Sequence, residues 1–203
     1  MGIMRDLFGP SKEEIWRRLA DEIKGHYVDG GFWNGCKVQA QFKQWTITLD
    51  TYTVSTGKSS ITYTRLRAPY VNPDNFRFTV YNKSIFTGIA KFFGTQDIEI
   101  GDKWFDDEYV IQGTHRGKVI DFFGNPRVRE LIQKQPSIYF HVRDDEGWFG
   151  TQFPEGVDEL YFTTIGVIKD VDRLKALFEL FAESLDQLCH IGSAYGNDPK
   201  LNH

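Results

Sequence analysis

The chain has 203 residues, with 24 Lys+Arg against 28 Asp+Glu, a formal charge of −4 and a pI near 5.7. That mild acidity excludes a general electrostatic footprint for nucleic acid, whose affinity rests on Lys and Arg neutralising phosphates, but leaves room for a local basic patch. An apolar content of 40%, with 17 Phe, 9 Tyr and 5 Trp, excludes a disordered chain and supplies bulky side chains for the core of one domain, residues 1–203.

No run approaches the roughly 18 consecutive apolar residues of a membrane-spanning helix. The first ten residues, Met1 to Pro10, lack the apolar stretch of a secretory signal. Ile3, Met4, Leu7 and Phe8 make them an arm that is flexible or folded back on the domain, with a short amphipathic membrane foot as the alternative. Cys36 and Cys189 form no Cys-x-x-Cys or Cys/His spacing, so two reduced thiols and a cytoplasmic location are expected.

Ser11 to Glu14 reads as a capping box, followed by Ile15, Leu19 and Ile23 on one stripe with Trp16 beside them, which predicts a helix over 12–24 ended by Gly25. Val38, Ala40 and Phe42 alternate as a strand. The phase slips at Lys43-Gln44 before Trp45, Ile47 and Leu49 alternate again, which predicts a bulge there. Thr46 to Ser55 and Ser60 to Ala68 flank a hairpin turn at 56–59. Pro69 and Pro73 bracket a loop, and Phe76, Phe78 and Val80 alternate as a further strand, giving an antiparallel meander. Ile85 to Phe93 reads as a short helix, Asp97 to Glu108 as an acidic turn-rich stretch and Tyr109 to Ile111 as a short strand. Helices are expected over 118–123 and 127–134, a second hairpin from Ser137–Arg143 and Trp148–Phe153, and a last strand over 160–167. The final helix, capped by Asp170 and ended by Gly192, carries Val171, Leu174, Phe178, Phe181, Leu185 and Leu188 in a seam widened by Leu177 and Leu180. A stripe of that width suits packing on a sheet better than a dimer zipper, though a homo-oligomer through residues 170–191 is the other use of it. The fold class expected is α+β: an antiparallel sheet, in one or two meanders, covered by a long C-terminal helix.

Thr56-Gly57-Lys58-Ser59 matches the end of a phosphate-binding loop, but the glycine that motif requires five positions earlier is Tyr52, and strands flank it on both sides. Asp97, Glu99, Asp102 and Asp106 could supply oxygen ligands to a divalent cation, and with His115 or His141 would make a metal-assisted hydrolase. Arg65 and Arg67 share a strand face with Tyr63, and Arg77 is a candidate neighbour across the sheet; such a patch suits an anion or single-stranded bases. Trp33, Trp104 and Trp148 fall in loops or turns, where tryptophans anchor partners or plug the ends of a core.

Ile100-Gly101-Asp102-Lys103-Trp104-Phe105-Asp106-Asp107-Glu108-Tyr109 resembles a Gly-Asp-x-x-Phe-Asp-x-x-aromatic segment of uncharacterised bacterial proteins classed as domains of unknown function. The resemblance covers about 45 residues and implies a bacterial, non-secreted protein with no known catalytic residues. Several such proteins carry membrane helices ahead of this segment, which this sequence does not. Physically, Gly101-Asp102 makes a turn, Phe105 and Tyr109 enter the core, and Asp106 caps or pairs locally.

With no nucleophile elbow, metal-binding histidine pair or cofactor motif, the expectation is a non-enzymatic binding or adaptor domain for a protein or a small apolar ligand, needing no cofactor. The metal-assisted hydrolase and the arginine-patch anion binder are the alternatives, and nucleic acid is a disfavoured partner.

Overall fold

The computed structural model describes residues 9–31, 35–55, 57–84, 97–144 and 153–196. Helix α1 (Lys12–Glu22) begins with the expected capping box: Ser11 Oγ accepts from the Glu14 amide at 3.2 Å, and Glu14 accepts from the Ser11 amide at 3.1 Å. Its stripe of Ile15, Trp16, Leu19 and Ala20 is buried, and the Trp16 indole donates to the Ile168 carbonyl at 3.2 Å, so a large apolar ring enters the core without stranding its N–H. The left-handed residue after the helix is Lys24, at φ 55°, rather than Gly25. Gly25 meets a different need, because a Cβ there would lie 2.7 Å from the Gln39 carbonyl oxygen.

Four strands follow in order, β1 (His26–Val28), β2 (Lys37–Phe42), β3 (Trp45–Ser55) and β4 (Ser60–Val71), each antiparallel to the one before. The slip at Lys43-Gln44 is not a bulge. Phe42 pairs with Trp45 across a two-residue turn in which Lys43 takes φ 51°, so both apolar sets share a face because the chain reverses. Around 56–59 the hairpin stands as expected, closed by the Ser55↔Ser60 pair, although Thr56 itself lies outside the described residues. Pro69 is not in a loop but inside β4, opposite Glu159. The Asn72 amide donates to the Gly156 carbonyl and the Gly166 amide to the Thr62 carbonyl, so even-numbered residues of β4 turn their backbone groups to the last strand. Pro69 therefore turns its nitrogen the other way, where the ladder with β3 has already stopped at Thr48↔Arg67.

The remaining elements are β5 (Phe78–Asn82), α2 (Lys103–Glu108), β6 (Tyr109–Gly113), α3 (Arg116–Phe123), α4 (Pro126–Gln133), β7 (Tyr139–Arg143), β8 (Val157–Ile165) and α5 (Val171–His190). All the described strands form one eight-stranded antiparallel sheet in the order β1-β2-β3-β4-β8-β7-β5-β6. Two expectations are corrected here. β5 does not continue the first meander, since β8 and β7 stand between it and β4. The strand beside β7 is β8 on one side and β5 on the other, while most of the expected Trp148–Phe153 partner, and the expected 85–93 helix, lie outside the described residues. The acidic stretch contains α2, a short helix that the turn-rich reading missed.

One face of the sheet carries the core. Val38, Ile47, Leu49, Leu66, Val80, Phe140, Leu160 and Phe162 meet buried residues from each of the five described helices in one cluster. α5 is central to it, as the wide stripe requires: Leu174, Leu177, Phe178, Leu180, Phe181, Leu185 and Leu188 are all buried. Phe181 lies 5.5 Å from Phe140, and Phe78 is ringed by Phe122, Phe123 and Phe140 at 4.4 to 5.5 Å. The outward positions of α5 are charged and tie it to the rest of the fold, Lys175 to Glu22, Glu179 to Arg127 and Asp186 to Lys43. Its apolar stripe is thus spent inside the chain. No helix of the described residues is long and apolar enough to cross a membrane.

Candidate functional site

The other face of the sheet is built by the alternate residues of the same strands, and no described helix lies on it. Register sets its layout row by row. In the first row Gln39, Thr48, Arg67, Tyr161, His141, Thr79 and Gln112 stand side by side across seven strands. In the next, Asp50, Arg65 and Thr163 are neighbours, with Tyr139 and Tyr81 paired further along. Then come Tyr52 and Tyr63, and last, at the free end of the β3–β4 hairpin, Val54 and Ile61. The face passes from charged and imidazole groups, through aromatic rings, to exposed aliphatic groups.

Charge is settled locally. Asp50 accepts from Arg65 Nε at 2.6 Å and Nη2 at 3.1 Å, and from Arg67 Nη2 at 2.9 Å, so one carboxylate holds both arginines. Arg143 donates to Glu159 through Nε at 3.0 Å and Nη2 at 2.6 Å and lies 3.6 Å above the Tyr161 ring. Glu159 is buried, and this pairing is what makes a charge tolerable there. His141 sits between Tyr139 and Tyr161, with ring centroids at 4.6 and 5.2 Å. Its Nε2 is buried without a hydrogen-bond partner, as is Thr79 Oγ1 in the adjacent position. Burial, helped by the Arg143 charge, pulls the imidazole down to about 3, so it is neutral at physiological pH. Burial likewise pushes the Tyr139, Tyr161 and Tyr81 hydroxyls up, keeping them protonated and able to donate.

At the hairpin end the surface becomes apolar. Tyr52 and Tyr63 stack at 5.1 Å and 11°, with the Arg65 guanidinium 5.2 Å over Tyr52. Beyond them Val54, Ile61 and Ile165 are 43%, 39% and 72% exposed. Strand alternation places Ile165 on this face, one residue past the Thr64↔Thr164 pair and one before Gly166, which bridges to Tyr63.

The structure brings Arg65, Arg67 and Tyr63 together as expected but separates Arg77 from them. Arg77 lies toward the opposite end of the sheet, bonded to Asp158 at 3.2 Å and Asp144 at 2.9 Å. Asp158 also accepts from Asn72 Nδ2 at 2.5 Å and stands near Tyr70, whose buried hydroxyl lacks a partner. The acidic stretch disperses into structural duties. Asp97 accepts from Gln112 at 3.1 Å, Asp102 caps α2 through the Phe105 amide at 3.1 Å and pairs with Arg129, and Asp106 accepts from the Ile100 and Gly101 amides at 2.9 Å. Glu99 is exposed, and its backbone carbonyl accepts from Arg116. His115 is an exposed residue at the start of α3, far in register from His141. Among the described residues no three His, Cys, Asp or Glu side chains stand together as a metal site would need.

Trp104 is 54% exposed on α2 with its ring edge-on to Tyr109 at 6.3 Å, whereas Trp33 and Trp148 lie outside the described residues. A cavity of about 360 Å³ between the starts of α1 and α5 is lined by Pro10, Ile15 and Val171 together with the charged Glu14, Arg18 and Asp172. Sequence reasoning missed Asp50, His141's aromatic surroundings and the apolar hairpin end; period-2 alternation of Tyr52 with Val54, and of Ile61 with Tyr63, was the available signal. In the segment 100–113 the physical reading holds, with Gly101 at φ 89°, Asp102 as cap, and Phe105 and Tyr109 buried. Compared with family models, with curated proteins and with solved structures, the chain matches none of them.

Proposed function

We propose that the chain is a non-enzymatic binding domain that engages another protein through the β3–β4 end of the sheet face on which no described helix lies. One observation carries this reading: three large aliphatic side chains, Val54, Ile61 and Ile165, stand exposed together on adjacent strands beside the stacked Tyr52 and Tyr63. Contiguous exposed apolar surface costs solubility and marks interaction sites, and rigid tyrosines contribute contact area at little cost in ordering. Arg65 and Arg67, both held by Asp50, form the polar rim on the sheet side.

A photo-crosslinking residue at position 61 or 165 in the native cell should trap one defined protein, and Val54→Glu should abolish the product without lowering the melting temperature. Equal labelling from position 175 on α5, or no product from either face position, overturns the reading.

A further inference from the structure

β3 is longer than its neighbour on one side. The ladder with β2 ends at Val38↔Leu49, whereas the ladder with β4 continues to Ser55↔Ser60. Among the described residues no strand pairs with β3 from Asp50 to Ser55 on the β2 side. The orientation of the unpaired groups follows from β4. Its even-numbered residues bond to β8, so its odd ones bond to β3, and their partners Asp50, Tyr52 and Val54 turn inward. Thr51, Thr53 and Ser55 therefore turn their N–H and C=O outward. An edge of this kind is usually blunted by a charge, a proline or a bulge, and Thr51 to Ser55 has none of these.

Lysines stand along this edge, whose own carboxylate, Asp50, is held by Arg65 and Arg67. Lys12 Nζ lies 3.5 Å from Thr51 Oγ1, Lys37 opens β2 one residue before the last β2–β3 pair, and exposed Lys58 sits in the turn beyond Ser55. With Asp50 bonded to its two arginines, the edge is lined by cations on a chain whose overall charge is −4. Self-pairing of two such edges would bring the lysines of one copy toward those of the other, which disfavours a second copy as the occupant. A complementary occupant is extended and acidic.

We propose that the Thr51–Ser55 edge of β3 takes an extended, acidic peptide segment as an added strand, bonded to the backbone of Thr51 and Thr53, with alternate side chains laid against Tyr52 and Val54. Main-chain bonds supply affinity in this mode, and the alternate side chains supply selectivity. This rests on the binding-domain reading and names its partner's chemistry.

The probe is a short fluorescent peptide alternating Val and Glu, followed by anisotropy, with a Val/Lys peptide as its counterpart. The acidic peptide should bind at least about tenfold more tightly than the basic one, and its affinity should fall about tenfold between low and high salt. Thr53→Pro removes an outward N–H and the exposed Thr53–Thr62 hydroxyl contact but no backbone bond of the β4 ladder, and should abolish binding at unchanged helix content. Should that variant unfold, Lys37→Glu on the half-buried Lys37 combined with Lys58→Glu on the exposed Lys58 leaves every ladder intact and should weaken the acidic peptide by about tenfold.

Equal affinity for both peptides, or full affinity in both the proline and the double-glutamate variants, overturns the proposal. A dimer in sedimentation that Thr53→Pro converts to monomer, with no peptide bound, overturns it in favour of self-pairing. Crosslinks from position 61 that persist in Thr53→Pro would leave the binding-domain reading standing while this edge mode falls.

Discussion

His141 occupies the middle of a polar row yet behaves as a core residue. Packed between Tyr139 and Tyr161, beneath the charge of Arg143, it is neutral when folded and titrates only near 3, against an ordinary value of 6.5. The unfolded chain therefore takes up a proton that the folded chain refuses as pH falls below about 6.5. The contribution is intact above that value and lost progressively down to the folded value, at up to about 1.4 kcal/mol per pH unit. In urea titrations across this range, His141→Phe should show a shallower acid limb than the parent, and parallel limbs would refute the assignment. Nothing in the sequence disclosed this burial. Tyr139, His141 and Arg143 alternate as a polar strand face should, and only the cross-strand neighbours, brought from β8 and β5, close over the imidazole.

Elements with local causes were the legible ones. α5 was readable from end to end because its cap, its stripe and its terminating glycine are all near in sequence: Asp170 accepts from the Arg173 amide at 3.0 Å, and Gly192 takes φ 72°. Asp170→Ala should lower stability by about 1 kcal/mol in denaturant titrations, with Asp170→Asn retaining most of it. No loss in the alanine variant would show that the cap adds nothing to a helix already held by its buried stripe. The turn at Lys43-Gln44 was misread because periodicity counts residues and not direction: a bulge and a two-residue reversal produce the same shift in apolar phase, and neither residue is a glycine or asparagine that would announce a turn. α2 was hidden by its length, six residues, and by acids that serve as cap and turn anchor instead of as ligands. The α+β class was thus legible, and so was the sharing of one face by Arg65, Arg67 and Tyr63, while the apolar end of that face came from combining three strands.

At the scale of the whole molecule, strand order was the least legible feature. Alternation identifies a strand but carries no address, so β5 was expected beside β4 when β8 belongs there. The consequence is kinetic. Val71 pairs with Val157 and Thr64 with Thr164, so the centre of the sheet waits on contacts between distant parts of the chain. Refolding by stopped-flow fluorescence should take milliseconds to seconds, as such pairings dictate, and a microsecond phase carrying the full amplitude would contradict it. The same insertion bears on synthesis. While β4 is leaving the ribosome its central partner is not yet made, and the first four strands present an unfinished edge until β8 and α5 follow. Two nascent chains held close together could each accept the other's β8–α5 segment into that gap, since the complementary surfaces are identical in both. For this chain, exchange of the C-terminal strand and helix between copies is the misassembly to look for when translation is crowded or stalled.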